Sequence, residues 1–157
     1  MADIEGDVPD NLAKMAPEDF AGLIAQASDE QISAIINGPS RGDILDEVFR
    51  RMAEHVKPGQ IANVDAVVHF LILERPEEQG GGHDHYEVVF VDGTCRANSD
   101  PSREPNVTIK LDGVQFLKLA GNKASGPVLF MNGKLKLEGD VMLASRLTSF
   151  FAIPTAA

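Results

Sequence analysis

The 157 residues predict an α+β domain in which helices cover one face of a mainly antiparallel, five-stranded sheet. Three observations carry that prediction. Apolar residues recur at helical spacing as far as Val56, the period changes to two from Asn63, and helical patterns return after Asp112 and again after Asp140. The length fits one domain, and 43% apolar with 24% charged residues supplies an ordinary globular core.

Pro17 opens the first helix, where its missing N–H is harmless, and Phe20, Leu23, Ile24 and Ala27 form its stripe. Ser28 with Gln31 is a capping-box signature for a second helix carrying Ile32, Ile35 and Ile36, ended by Gly38-Pro39. A longer third helix starts at Ser40 or Gly42. Ile44, Leu45, Val48, Phe49, Met52 and Val56 recur along it until Pro58-Gly59 stops it.

Val64 to Leu73 is apolar on both faces, as a central strand requires. Arg75 to Asp84, with Pro76 and Gly80-Gly81-Gly82, reads as a flexible hairpin connection. His85 to Val91 is the second strand, with Tyr86, Val88 and Phe90 on one face. Asp92-Gly93 is a two-residue turn signal leading to a short third strand, Thr94 to Asn98, whose apolar face is Cys95 and Ala97. After a polar loop, Val107, Ile109 and Leu111 alternate with Thr108 and Lys110 in a fourth strand. A helix from about Asp112 to Gly121 carries Val114, Phe116, Leu117 and Leu119. Ser125 to Met131 reads as an irregular apolar segment. A fifth strand alternates Leu135 and Leu137 with lysines, and Asp140 caps a last helix containing Val141, Met142, Leu143, Leu147, Phe150 and Phe151, ended by Pro154.

Charge excludes some functions. Fourteen Lys and Arg against twenty-four Asp and Glu leave −10, unsuited to a phosphate backbone or to unaided docking on anionic membranes. Residues 1–40 hold eight acids and one base, so −7 belongs to the front and only −3 to the rest. Residues 1–15 are expected to form an acidic, flexible tail. The tail has no basic or apolar signal-peptide region, and the longest apolar run, Ala66 to Leu73, is far short of the roughly 20 residues of a membrane span. The expected setting is cytoplasmic and reducing.

Catalytic chemistry has little to stand on. Cys95, the single cysteine, alternates inward on a short strand and reads as a small buried hydrophobe rather than a nucleophile. His83 and His85 share a strand face and are able to reach one ion, but no third ligand is evident, so neither a catalytic nor a metal site is expected. Gly80-Gly81-Gly82 lacks the phosphate-loop pattern, and no cofactor is expected.

What stands out is a late surplus of bulky apolar residues, Phe130, Met131, Phe150 and Phe151 among them. The motifs Asn106-Val107-Thr108-Ile109-Lys110-Leu111, Phe116-Leu117-Lys118-Leu119-Ala120-Gly121-Asn122, Asn132 to Asp140 and Met142-Leu143-Ala144-Ser145-Arg146-Leu147 follow one another in an order that resembles the sterol carrier protein domain family. Upstream, Asp43 to Met52 is similar to its first helix and Val64 to Ser99 to its strand meander. The resemblance covers about residues 42–153. It implies a sheet and helices enclosing an apolar ligand tunnel, with residues 40–157 as the lipid-binding domain and 16–39 as a helical extension of the kind seen in bacterial relatives. On that reading Phe116, Phe130, Met131, Met142, Leu143, Leu147, Phe150 and Phe151 line the site. The ligand would be a sterol, steroid intermediate, fatty acid or acyl-CoA ester, carried without catalysis. The alternative is a domain whose cavity is filled by its own side chains, acting as an accessory to a lipid-metabolic enzyme. A homodimer through the front helices is a further possible partnership.

Overall fold

The computed structural model describes residues 17–121 and 123–150. The predicted tail over 1–15, Phe151, Ile153 and Pro154 lie outside the described residues, as does the Phe20 side chain. In chain order come α1 (Pro17–Gln26), α2 (Asp29–Ile36), α3 (Arg41–Glu54), α4 (Pro58–Ile61), β1 (Ala66–Leu73), β2 (His83–Val91), β3 (Thr94–Asn98), β4 (Val107–Asp112), α5 (Gly113–Ala120), α6 (Gly126–Met131), β5 (Leu135–Gly139) and α7 (Val141–Phe150).

Among the described residues five strands form one sheet in the order β3-β2-β1-β4-β5. β1, apolar on both faces, is its centre. The β1–β2, β2–β3 and β4–β5 pairs are antiparallel, and β1–β4 is parallel. The parallel pair exists because the chain leaves the β3 edge, crosses the sheet through residues 99–106 and returns on the far side of β1. Asn106 makes that landing: its N–H donates to Val67 O at 2.7 Å, and its side-chain oxygen accepts from Val67 N–H at 2.7 Å.

The register sorts the side chains. Val68, Phe70 and Ile72 of β1 lie beside Val88, Tyr86 and Asp84 of β2 and beside Val107, Ile109 and Leu111 of β4. This face meets the helices. Phe49 of α3 is its aromatic hub, stacked on Tyr86 (centroids 4.2 Å) and Phe116 (4.9 Å) and edge-on to Phe70 (5.3 Å). The front helices share this core: Ile24, Ala27, Ile32, Ile35 and Ile36 are buried with the rest. α2 has the predicted capping box at Ser28 and Gln31.

Three local features depart from the sequence reading. Ser125 to Met131 is helical: the Ser125 hydroxyl accepts from Val128 N–H, and Pro127 sits in the first turn, where its ring is tolerated. α3 stops at Glu54 with His55 as its C-cap, short of Val56, and Pro58 opens the short α4 instead of ending α3. β2 begins two residues early, because His83 and Asp84 pair with Leu73 and Ile72. The hairpin needs its three glycines, since Gly80, Gly81 and Gly82 all have φ between 66° and 104°.

The hairpin is held by a residue the periodicity passed over. Arg41, in the first turn of α3, is 0% exposed. Its Nε donates to Asp84 at 2.7 Å, Nη1 to Asn37 at 2.9 Å, and Nη2 to the carbonyls of Ile72 and Leu73, both at 3.0 Å. Arg75 shares Asp84 at 3.2 Å, and Gln79 donates to Gly38 O at 2.7 Å. Arg41→Ala should destabilise the protein by about 3 kcal/mol, because buried carbonyls and a carboxylate lose their partner. Urea unfolding followed by circular dichroism measures it, with Arg50→Ala on the exposed side of α3 changing stability by less than about 0.5 kcal/mol.

Candidate functional site

The residues expected to line an apolar site divide into two groups. Phe116, Leu143, Leu147 and Phe150 are buried. Phe116 belongs to the Phe49 cluster; Phe150, at the end of α7, packs edge-on against Phe90 with centroids 5.3 Å apart. The Phe150 carbonyl accepts from Lys57 N–H at 2.7 Å, fastening the end of α7 to the α3–α4 connection. Arg146 lies over the Phe150 ring, 5.5 Å from its centroid.

Phe130, Met131 and Met142 are instead exposed, Met131 by 83% and Met142 by 75%. The reason is helical phase. In the six-residue α6 only Leu129 turns inward, so its neighbours Val128, Phe130 and Met131 face out. In α7 the inward positions are 143, 147 and 150, which leaves Val141 and Met142 outside. α6 packs against both β5 and α7. Among the described residues, five of the six large exposed hydrophobic side chains therefore come from α6 and the first turn of α7. This stretch also reverses the charge of the chain: residues 121–150 carry Lys123, Lys134, Lys136 and Arg146 against Glu138 and Asp140, a net of +2 within a total of −10. Apolar spacing over 125–131 shows no helical period and so does not single out Leu129; the Ser125 cap followed by Pro127 is the signal that does.

The polar candidates fall elsewhere. Cys95 is half-buried and its thiol is pushed up to about 12 by burial, so it stays protonated and unreactive at neutral pH. Tyr86 is also pushed up, first by burial and then by its 2.5 Å hydrogen bond to Asp46. On the sheet face away from the helices, the register places His69 of β1 opposite Glu87 and Leu71 opposite His85. His69 Nε2 lies 3.2 Å from Glu87 Oε2, and His85 Nε2 lies 2.9 Å from His69 Nδ1. The Glu87 side chain is fully buried under the 99–105 loop, accepting from Ser102 N–H (3.2 Å), Arg103 N–H (2.9 Å) and the Asn98 amide (3.2 Å). Burial alone would raise its pKa. These donors and His69 outweigh it and hold the carboxyl at about 2. His85 is shifted down, first by burial and then by the neighbouring histidines. Asp84, the residue between the two histidines in sequence, points to the opposite face and pairs with Arg41.

Two outcomes are expected. Met142→Ser should change stability by less than about 0.5 kcal/mol, whereas Leu143→Ala, one position along, should cost about 2–4 kcal/mol in the same urea titration. Glu87 has a folded pKa below its ordinary 4.5, so its contribution is complete above about pH 4.5 and is lost as pH falls towards about 2. Glu87→Gln should lower stability by about 1–3 kcal/mol at pH 7, with the gap to wild type closing over that acid range.

The sequence profile described as the SCP-2 sterol transfer family matches residues 45–152. The oleate-induced peroxisomal protein POX18 of Candida maltosa is 28% identical over 120 residues, covering 76% of this chain and 93% of its own length. The apo form of sterol carrier protein 2 from Yarrowia lipolytica superposes with a TM-score of 0.53 at 22% identity, over 68% of this chain and 86% of that one. The sec-alkylsulfatase Pisa1 from a Pseudomonas species gives a TM-score of 0.57 at 18% identity over 75% of this chain, which corresponds to 17% of the sulfatase. No helix among the described residues is long and apolar enough to cross a membrane. With the profile spanning more than half of its residues, the chain belongs to the SCP-2 sterol transfer family.

Proposed function

We propose that this protein binds an apolar lipid between the sheet and the α6–α7 helices and hands it on without chemistry, in the cytoplasm. The observation that carries the reading is the surplus of exposed apolar side chains on α6 and α7, directly beside buried Leu129, Leu143 and Leu147. A surface of this kind marks an interaction site, because folding alone gains nothing from it. A ligand entering there meets Phe130, Met131 and Met142 first, then Leu143, Leu147 and Phe150, with Phe116 and the rest of the Phe49 cluster deeper in. Phe151 completes the proposed lining set. Thioether side chains adapt to varied ligand shapes. Burying about 400 Å² of ligand at roughly 25 cal/mol per Å² yields on the order of 10 kcal/mol. Ordering and association costs bring this to about 8 kcal/mol, near micromolar affinity, which permits exchange. Sterols, steroid intermediates, fatty acids and acyl-CoA esters are the proposed ligand classes.

A second reading has its own support. Phe116 and Phe150 are already engaged by Phe49 and Phe90. A filled interior suits an accessory domain of lipid-metabolic enzymes, and the same fold forms a minor part of a larger alkylsulfatase. Native mass spectrometry after gentle purification separates the two: co-purified lipid favours the carrier, and bare protein the accessory domain. For the carrier, a fluorescent fatty acid or sterol should bind saturably with a Kd of about 1 μM. Leu147→Arg or Phe150→Asp should weaken binding at least tenfold. Absent binding in wild type, or undiminished binding in both variants, refutes it.

A further inference from the structure

The sheet face away from the described helices holds a polar cluster that lipid carriage does not use. We infer that His69 and His85, assisted by His83, form a binding site for a divalent transition-metal cation of the zinc, nickel or copper class.

The arrangement has the parts such a site needs. Two imidazole nitrogens on adjacent strands, His69 Nδ1 and His85 Nε2, face each other 2.9 Å apart. Two ligands at about 2.0–2.1 Å from a tetrahedral zinc stand about 3.4 Å apart, so admitting the ion requires the rings to part by about 0.5 Å. His69 is already oriented as a ligand. An ionised carboxylate only accepts, so the Nε2 facing Glu87 carries the proton and Nδ1 presents its lone pair. A ligating histidine that donates its other N–H to a carboxylate is the usual supporting arrangement of metal sites, because it fixes the tautomer and raises ligand basicity. Glu87 is held rigid for this purpose by Asn98, Ser102 and Arg103.

His85 supplies the second lone pair after a tautomer change: the proton it donates to His69 is given up at Nε2 and taken at Nδ1 through solvent, so the ring stays neutral. His83, two residues along the same strand, is exposed, and its ring centroid is 6.2 Å from that of His85. Among the described residues no three His, Cys, Asp or Glu side chains already surround one point, so the third ligand arrives by rotation of His83. Water completes the shell. Imidazole-only coordination selects borderline cations over magnesium and calcium, which require oxygen.

Titration of the untagged, metal-free protein with zinc chloride at pH 7.5 tests the site calorimetrically. One equivalent is expected to bind. His85→Gln should weaken binding at least tenfold, Glu87→Gln about 10–100-fold through the loss of orientation, and His55→Gln, on the far helix, not at all. Ring nitrogen resonances of the wild-type protein give a second readout free of folding effects: zinc should shift His69 Nδ1 and His85 Nε2. Magnesium chloride should shift neither. No saturable binding up to 1 mM zinc, less than a tenfold loss in a folded His85→Gln, or unchanged ring resonances each overturns the site.

Discussion

The burial of Arg41 is the constraint around which the architecture is assembled. A guanidinium removed from water costs several kcal/mol unless its N–H groups find acceptors. Here they reach Asp84, Asn37 and two carbonyls at the end of β1. One side chain therefore joins the end of α2, the start of α3 and the β1–β2 hairpin. Gly113, at the start of α5, must be glycine for the same packing: a Cβ there would stand 2.7 Å from Ile36 and 3.4 Å from Arg41. The front helices are thus bound into the core by charge and close contact as well as by their isoleucines, although the family profile begins only at residue 45.

From that junction the sheet acquires two unlike faces. One is closed by helices around Phe49. The other is closed locally by the 99–105 loop, which carries no apolar residue suited to core packing apart from its two prolines. It is fastened instead through backbone N–H groups donated to Glu87. A buried carboxylate thereby does for the outer face what aromatic rings do for the inner one, and its low pKa is the signature of those donors outweighing its desolvation.

The carrier reading and the metal reading concern opposite faces and are independent. Lipid would enter at α6 and α7, where helical phase leaves apolar groups outside the core. The cation would sit on β1 and β2, where strand register gathers imidazoles. Neither uses Cys95, whose protonated thiol has only a packing role.

How much of this was legible in the sequence follows from the range of the signals. Period and punctuation are local, so the sequence by itself determined the α+β class, the central place of β1, the Ser28 cap and the inward alternation of Tyr86, Val88 and Phe90. Bulk and hydrophobicity, which single out the eight lining candidates, do not distinguish Leu143, turned inward, from Met142, turned out. That choice is made by which side of α7 meets the sheet. Likewise His69 and Glu87 are eighteen residues apart, and Arg41 and Asp84 forty-three; each pair meets only when antiparallel register and helix docking bring distant backbone together. Only the tertiary structure decided these partners, because a buried charge or imidazole is stabilised by what lies across space from it, which no periodicity along the chain encodes.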